Sequence, residues 1–315
     1  MGRMSSAPAQ PHPHLASGLL LASAGSIAFS GKAIIVKLAY RHGVDAVTLI
    51  MYRMLFALPL FLALAWWATY RQGGGGKPPL TRKDWLGILG LGFTGYYLAS
   101  FLDFWGLQYI SASLERLILY LNPTLVLVLG WLLYQRRISG LQALAMAVSY
   151  AGVLLVFGHE ADFAGPNAAL GALLVFGSAI SYAIYLVYSG ELVKRLGSMR
   201  LVGLATSVAC LLCLLQFVLL RPLDAATAVA PEVVWLSVLN ATLCTFAPVI
   251  LVMMAIERIG AGLAAQTGMI GPMSTIAMGV LILDEPFNGW IIAGTVLVVS
   301  GVFLVTRFGS ASAAK

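Results

Sequence analysis

The chain is organised around residues 105–156, which read WGLQYISASLERLILYLNPTLVLVLGWLLYQRRISGLQALAMAVSYAGVLLV. The pattern returns without a gap at residues 254–305, which read MAIERIGAGLAAQTGMIGPMSTIAMGVLILDEPFNGWIIAGTVLVVSGVFLV. A constant shift of 149 positions aligns identical residues of the two copies: Ile110 with Ile259, Ala112 with Ala261, Leu114 with Leu263, Pro123 with Pro272, Gly130 with Gly279, Leu132 with Leu281, Gly152 with Gly301 and Leu155 with Leu304. The sequence is therefore an internal duplication.

The composition places the chain in a membrane. Apolar residues make up 60% of the 315 residues and charged residues only 10%, whereas soluble domains carry about 25% charged residues. A run of roughly 20 apolar residues crosses the hydrocarbon of a bilayer as a helix. We therefore predict an all-α integral membrane protein with ten transmembrane helices, at about residues 15–38, 46–69, 85–109, 112–134, 138–157, 168–190, 199–220, 233–256, 261–283 and 287–307.

The predicted helices form two five-helix repeats, at residues 15–157 and 168–307. The connecting loops are too short to form an extramembrane domain. Residues 1–14 are polar and rich in Pro, Ser and His, so they are predicted to be a disordered tail, and residues 308–315 form a second tail. No cleavable signal peptide is expected, because the first apolar run is long and no soluble body follows it.

Cysteine and charge usage exclude several kinds of site. Cys210, Cys213 and Cys244 all fall within apolar helices, so the sequence predicts neither a disulfide framework nor a zinc site. We expect no metal and no cofactor. The formal net charge of +7 comes from basic residues spread over short loops, which argues against nucleic-acid binding. The expected partners are a small-molecule substrate and the lipid bilayer; the oligomeric state is open, with a monomer as one expectation.

The loop charges predict the orientation in the membrane. With ten spans both termini lie on one face, which carries most of the basic residues: Arg3, Arg71, Lys77, Arg82, Lys83, Arg136, Arg137, Lys194, Arg195, Arg200, Arg258, Arg307 and Lys315. The opposite loops are mostly acidic: Asp45, Glu160, Asp162, Asp224, Glu232, Asp284 and Glu285, with Arg41 and Arg221. The positive-inside rule then places both termini in the cytoplasm. Because each repeat contains five spans, we predict that the second is inverted, as in many secondary transporters.

The sequence resembles the drug/metabolite transporter superfamily, in its ten-helix branch built from two EamA-type domains. The residues that carry the resemblance are the Pro272 helix ending in Leu283-Asp284-Glu285-Pro286, then Gly294 and Gly301, and the Pro123 helix ending in Tyr134-Gln135-Arg136-Arg137. The first copy departs from the family pattern, since Arg136 stands opposite Glu285. This departure follows the predicted topology, in which the first turn is cytoplasmic and the second external.

The resemblance implies a secondary transporter of a cell inner membrane that works by alternating access. In the family the fifth and tenth helices are an outer scaffold, and the other eight surround a central cavity. Within the branch the chain looks like the bacterial exporters of amino acids, including aromatic ones. We therefore predict an amino acid exporter, with export of purines, sugars or cationic drugs on the same fold as the alternative.

Two aromatic stripes are candidates for the substrate site. Tyr97, Phe101 and Trp105 follow each other at intervals of four in the third helix, and Tyr182 and Tyr185 share a face of the sixth. We predict that these rings receive the substrate side chain. The alternative is that they pack against neighbouring helices or lie in interfacial belts.

Polar groups in the middle of the spans need partners, because an unpaired polar group is costly in hydrocarbon. We predict that Asn122, Asn240 and Gln266 clasp the ammonium and carboxylate groups of the substrate. Lys32 lies deep in the first helix, where it is a candidate for binding the substrate carboxylate. Small-residue packing and helix contacts are the alternative for each of these side chains.

Five further ionisable residues fall within the spans, where each costs about 2.5–3.5 kcal/mol on the insertion scale. One of them, Lys37, is predicted to snorkel to outer water. Arg53 and Asp103 have similar depths, which predicts a buried pair. Glu115 and Arg116 lie one turn into the fourth helix and are predicted to reach outer water. Energy coupling is either absent or runs through Asp103 or Glu115, because proton coupling needs a group that titrates at the site.

The duplication also predicts a pair of gates. Ser111 and Ala112 lie in the outer connection of helices three and four, and Gly260 and Ala261 occupy the equivalent positions between helices eight and nine on the inside. We predict that these two connections open alternately.

The sequence disfavours two other classes of membrane protein. An intramembrane enzyme is disfavoured, because the sequence has no HExxH or GxSxG motif and no pair of His and Cys within the spans. A channel is disfavoured as well, because no ring of like charges and no carbonyl filter is visible.

Overall fold

The computed structural model describes residues 15–70, 79–135, 138–161 and 165–312, and this part of the chain is helical and contains no strands. Ten apolar helices run in chain order: α1 Leu15–Tyr40; α2 Ala46–Tyr70; α3 in the segments Arg82–Leu91, Gly92–Leu98 and Ala99–Gly106; α4 in the segments Ala112–Leu119 and Asn122–Tyr134; α5 Gly140–Ala161; α6 Ala168–Leu196; α7 Ser198–Leu220; α8 in the segments Pro231–Ala241, Thr242–Phe246 and Ala247–Thr267; α9 Ile270–Leu283; and α10 Gly289–Ser312. A short 3-10 turn, Leu223–Ala226, lies between α7 and α8.

Within the described ranges, nine of these helices are long and apolar enough to cross a membrane, and α9, with 14 residues, is shorter. The predicted all-α class is therefore confirmed, and ten apolar helices lie where apolar runs were identified. The predicted tail at residues 1–14 lies outside the described residues. Of the predicted tail at residues 308–315, the described residues 308–312 continue α10 instead.

The boundary between α8 and α9 differs from the prediction. The sequence predicted a break at residues 259–262, but the helix Ala247–Thr267 runs straight through it, and the chain breaks at Gly268 and Met269 instead. In the first copy Ser111 caps α4, since its hydroxyl accepts a hydrogen bond from the Leu114 N–H at 3.0 Å. The second copy has Gly260 at that position. Glycine lacks the side-chain oxygen with which Ser111 accepts a backbone N–H, so this capping hydrogen bond is not available in the second copy.

The two halves repeat in detail as well as in outline. Gln135 ends α4 and Asp284 ends α9, 149 positions apart, and both adopt the left-handed conformation, with φ of 51° and 60°. Each cap N–H donates to a glycine carbonyl, that of Gly130 or Gly279, so both helices end in the same hydrogen-bonded turn. The structure therefore reproduces the duplication seen in the sequence.

π-Helical turns interrupt α3 at Gly92–Leu98 and α8 at Thr242–Phe246, which are also equivalent positions. A π-turn holds one residue more than an α-turn, so it rotates the following side chains about the helix axis. Gly95 allows the α3 turn to pack closely, because a Cβ there would lie 2.5 Å from the ring of Tyr185 on α6. Such turns are frequent at functional sites.

The helices α5 and α10 touch backbone to backbone. A Cβ at Gly152 would lie 2.7 Å from the carbonyl oxygen of Gly294, and a Cβ at Gly301 would lie 2.5 Å from that of Ala145. The shift of 149 positions exchanges these two contacts. This small-residue seam, made of Gly152, Gly294, Gly301 and Ala145, joins the first repeat to the second.

Candidate functional site

A cavity of ≈ 250 Å³ lies among α1, α2, α3, α4, α6 and α8, so both repeats contribute to it. Its walls combine aromatic rings with charged, hydroxyl and amide groups. The lining residues are Phe29, Lys32, Arg53, Phe61, Gly95, Tyr96, Ala99, Ser100, Asp103, Arg116, Leu119, Tyr120, Asn122, Ser178, Tyr182, Thr245 and Val249.

Lys32 is the centre of a buried charge cluster. Its Nζ lies 2.5 Å from Oδ2 of Asp103 and 3.1 Å from Oε1 of Glu115. The side chains of Lys32, Asp103 and Glu115 are only 8%, 3% and 0% exposed. The predicted pair of Arg53 with Asp103 is therefore wrong: α1 brings Lys32 closer to Asp103 than α2 brings Arg53.

Arg53 is held instead by hydroxyls and a ring. Its Nε donates to Oγ1 of Thr245 at 3.0 Å, its Nη1 donates to Oγ of Ser100 at 3.5 Å, and its guanidinium lies 5.1 Å from the ring centre of Phe104. The π-turn of α8 places Thr245, whose hydroxyl also donates to the Asn240 carbonyl five residues earlier at 2.8 Å. Arg53 lines the cavity and makes no ion pair with a carboxylate in the described part of the chain.

Glu115 and Arg116 do not reach outer water, contrary to the prediction. Glu115 is fully buried, and Arg116 lines the cavity. Nη2 of Arg116 donates to Oγ of Ser30 at 3.2 Å, and its guanidinium lies 5.2 Å from the ring centre of Phe29. The cause is the packing of α4 against α1 and α9: a Cβ at Gly271 would lie 2.7 Å from Arg116 Nη2.

Three polar atoms of cavity-lining residues are buried and have no hydrogen-bond partner among the described residues. They are the acceptors Asp103 Oδ1 and Asn122 Oδ1 and the donor Arg116 Nε. Leaving a buried polar group unpaired costs about 1–3 kcal/mol, and more when it is charged. These atoms are therefore suited to hydrogen-bond a ligand that carries both a donor and an acceptor.

Aromatic rings form the opposite wall. Tyr182 lines the cavity and stacks on Tyr185, with ring centres 5.4 Å apart. Tyr185 lies behind it, only 5% exposed, and its hydroxyl is 3.2 Å from that of Tyr96. Ser178 of the same helix ties α6 to α3 by donating to the Ala99 carbonyl at 2.7 Å.

Of the predicted substrate residues, the structure brings Lys32, Asn122 and Tyr182 to the cavity. Tyr185 and Asn240 are buried but do not line it, and both amide atoms of Asn240 lack a partner among the described residues. The side chain of Gln266 lies outside the described part of the structure.

The aromatic stripe of α3 does not line the cavity. Tyr97 and Phe101 pack against the main apolar core, and Trp105 is 37% exposed. The cavity-facing residues of α3 are Tyr96, Ser100 and Asp103 instead. Tyr96, Ser100 and Asp103 also follow a regular helical period, at intervals of four and three. Sequence reasoning missed Tyr96 and Ser100 because the period does not say which face of a helix points to the cavity.

The predicted outer gate is latched by two carboxylates. Glu285 accepts hydrogen bonds from the Ala112 N–H at 2.7 Å, the Ser113 N–H at 3.2 Å and the Ser113 hydroxyl at 2.6 Å. Glu160 accepts from the N–H and the hydroxyl of Ser111 at 2.5 and 2.8 Å. The N-terminus of a helix favours negative charge, so both carboxylates stabilise this start of α4. We name the contacts of Glu160 and Glu285 with residues 111–113 the α4 latch.

The equivalent positions of the second repeat differ in conformation from the α4 latch. Gly260 and Ala261 lie within the continuous helix Ala247–Thr267, whereas Ser111 precedes a helix start. Equivalent segments of the duplication therefore adopt two conformations in one structure. Among the described residues, no group of three or more His, Cys, Asp or Glu side chains is placed to hold a metal ion.

Comparison with known proteins identifies the family. The model of the EamA-like transporter family matches twice, at residues 16–158 and 169–307, which are the two halves of the duplication. The uncharacterized transporter YcbK of Bacillus subtilis is 31% identical over 280 residues, covering 86% of each chain. An uncharacterized transporter of Archaeoglobus fulgidus is 22% identical over 288 residues, covering 91% of this chain and 96% of its own.

A solved crystal structure shares the fold, with a TM-score of 0.62 over 94% of this chain and 98% of that chain, at 18% sequence identity. The predicted resemblance to the EamA branch is thereby confirmed, and the similar proteins are named as transporters. The chain belongs to the EamA-like transporter family and is a multi-pass membrane transporter.

Proposed function

We propose that the protein exports amino acids, including aromatic ones, across a cell inner membrane. The observation that carries this proposal is the set of unpaired atoms at one cavity: the acceptors Asp103 Oδ1 and Asn122 Oδ1, and the donor Arg116 Nε. An amino acid offers an ammonium to the acceptors and a carboxylate to the donor. Its side chain then meets aromatic rings, to which Tyr182 and Phe61 contribute.

The charge balance supports an amphoteric or anionic cargo. Three cationic side chains, Lys32, Arg53 and Arg116, stand against two carboxylates, Asp103 and Glu115, so one positive charge is uncompensated when all five are ionised. The carboxylate of an amino acid can pair with Arg53 or Arg116 while its ammonium pairs with Asp103, so a zwitterion leaves the net charge of the site unchanged, whereas a cationic drug raises it. An uncharged sugar or purine offers no carboxylate to the two arginines, which contact hydroxyls.

The assignments within the site follow from these contacts. Lys32 is already engaged by two carboxylates, so Arg116, together with Arg53, is the proposed carboxylate site. Asn122 and Asp103 receive the ammonium. The cavity volume of ≈ 250 Å³ lies just below the roughly 300–1,000 Å³ of pockets for drug-sized ligands, which favours a small metabolite.

We further propose that the halves are inverted repeats with both termini in the cytoplasm, and that they rock to give alternating access. The loop charges support the orientation, and the odd number of helices in each half supports the inversion. In this scheme Ser111 and Ala112 form the outer gate, closed by the α4 latch, and Gly260 and Ala261 form the inner gate.

Uptake of radiolabelled solutes into inside-out proteoliposomes tests the proposal. The panel comprises aromatic and aliphatic amino acids, nucleosides, sugars and organic cations. We expect saturable uptake of amino acids that falls strongly in Arg116→Gln and is unchanged in Arg258→Gln, a matched control on an exposed arginine. Saturable uptake of organic cations or nucleosides, with none of amino acids, would refute the proposal.

A further inference from the structure

The cluster around Lys32 contains more negative charge than one ammonium can satisfy. Two carboxylates, Asp103 and Glu115, face the same Nζ at 2.5 and 3.1 Å, and both are almost fully buried. Among the described residues, Oδ1 of Asp103 and both carboxylate oxygens of Glu115 have no hydrogen-bond partner. Two carboxylates that share a buried site repel each other, which favours the protonation of one of them.

The two carboxylates are not equivalent. Asp103 lines the cavity, whereas Glu115 does not and its side chain is 0% exposed. Lys32 therefore stands between a carboxylate that a substrate reaches and one that the protein encloses. The shorter distance is to Oδ2 of Asp103, so in this structure Lys32 pairs with the carboxylate whose other oxygen, Oδ1, is proposed to accept the substrate ammonium.

The other charged and titratable groups around the cluster come from six helices: Tyr40 of α1, Arg53 of α2, Tyr96 of α3, Arg116 and Tyr120 of α4, Tyr182 of α6 and Cys244 of α8. Neither arginine forms an ion pair with Asp103 or Glu115 in the described part of the chain; Arg53 contacts hydroxyls and Arg116 contacts Ser30. The hydroxyl of Tyr40 donates to the Phe104 carbonyl. Lys32 is therefore the direct counter-ion of both carboxylates.

We propose that Lys32 moves between Asp103 and Glu115, and that this movement exchanges one proton for one amino acid. The inference rests on the proposed function. When Glu115 is protonated, Lys32 pairs with Asp103. The substrate ammonium then displaces Lys32 from Asp103, and Lys32 turns fully to Glu115. Its positive charge favours the ionised carboxylate, so the proton leaves Glu115 for the cavity water.

The reverse step returns the site to its starting state. A proton from the outer side binds Glu115, Lys32 returns to Asp103, and the amino acid loses its ammonium partner and leaves. Each cycle moves a zwitterion outward and one proton inward. Export is then driven by both the pH gradient and the membrane potential.

Proton release on substrate binding tests the inference directly. Full-length protein in detergent is mixed with phenylalanine or another amino acid in weak buffer, and a pH-indicator dye reports released protons while calorimetry reports binding. We expect the release of about one proton per bound amino acid. By linkage, the affinity for the amino acid should weaken about tenfold for each unit by which the pH falls, in the range where Glu115 of the free protein is protonated. Binding without proton release at every pH would overturn the inference and leave the proposed function intact.

A matched pair of variants locates the proton. Glu115→Gln is expected to bind amino acids without releasing a proton and to lose pH-driven transport while it retains exchange of labelled for unlabelled substrate. Asp224→Asn removes an exposed carboxylate far along the chain and should behave as wild type. Wild-type proton release from Glu115→Gln would overturn the inference. If that variant does not fold, the wild-type stoichiometry alone decides, and wild-type protein that binds no amino acid overturns both proposals.

Discussion

Neutralising Glu285 is expected to open the outer gate. Glu285 lies in the turn between α9 and α10, in the second repeat, and accepts three hydrogen bonds from Ala112 and Ser113, in the first. The change Glu285→Gln keeps the shape of the side chain but removes its charge. The amide also places an NH₂ donor where the carboxylate has an acceptor oxygen, so this donor faces at least one of the N–H or O–H donors of Ala112 and Ser113, and that hydrogen bond is lost.

The magnitude follows from these contacts. A hydrogen bond to a charged group contributes about 1.5–3 kcal/mol and a neutral one about 0.5–1.5 kcal/mol. Losing the charge-assisted character and one contact therefore weakens the α4 latch by about 1–3 kcal/mol. That free energy shifts the balance of closed and open gates by about 5- to 150-fold.

Cysteine labelling in whole cells measures the shift. Ser100→Cys places a thiol at the cavity in a background without the native cysteines, and a membrane-impermeant maleimide is added from outside. We expect Glu285→Gln to raise the labelling rate by about 5- to 150-fold. The control is Asp284→Asn, which removes the neighbouring exposed carboxylate at a left-handed position that suits asparagine. Equal labelling rates in the two variants would refute the latch.

Three further changes test other parts of the structure. Gly152→Ala places a Cβ 2.7 Å from a backbone carbonyl of α10 and should destabilise the protein by about 1–3 kcal/mol in thermal unfolding. The control Gly158→Ala, on the same helix, adds a Cβ with no neighbouring atom within 4 Å and should leave the stability unchanged. Tyr182→Leu should lower transport of aromatic amino acids more than that of aliphatic ones, whereas Tyr185→Leu, behind the wall, should lower protein stability and all transport alike. Arg116→Lys keeps the charge but loses the Nε donor. It should raise the KM for amino acids about tenfold, which corresponds to the loss of one charge-assisted hydrogen bond. An unchanged KM would show that Arg116 does not bind the substrate.

The fold could be predicted because the amino-acid composition indicates a membrane protein and the repeat of 149 residues indicates its two halves. The thickness of the bilayer sets the length of the apolar runs, and the duplication is visible at Pro123 and Pro272, so both could be predicted from the sequence. The position of the break before α9 could not be predicted, because it depends on a single N-cap residue. Ser111 caps the start of a helix, whereas the equivalent Gly260 lies inside one.

The cavity was predictable only in part, because lateral packing decides which side chains meet. Depth along a span suggested that Asp103 pairs with Arg53, but the packing of α1 against α3 brings Lys32 to Asp103 instead. The aromatic stripe of α3 suggested Tyr97, but the neighbouring face of the same helix, which carries Tyr96, lines the cavity. Which side chains meet at the cavity depends on contacts between helices, and the periodicity of a single helix does not predict these contacts.

The small-residue seam of α5 and α10 has a consequence for how the molecule assembles. Gly152 meets Gly294 and Gly301 meets Ala145 through main-chain atoms, so these contacts do not depend on the peptide link between the repeats. Two separate polypeptides, each carrying one repeat, should therefore find each other in the membrane and rebuild the transporter. A five-helix ancestor with such a seam could have paired with a second copy of itself before its gene was joined in tandem.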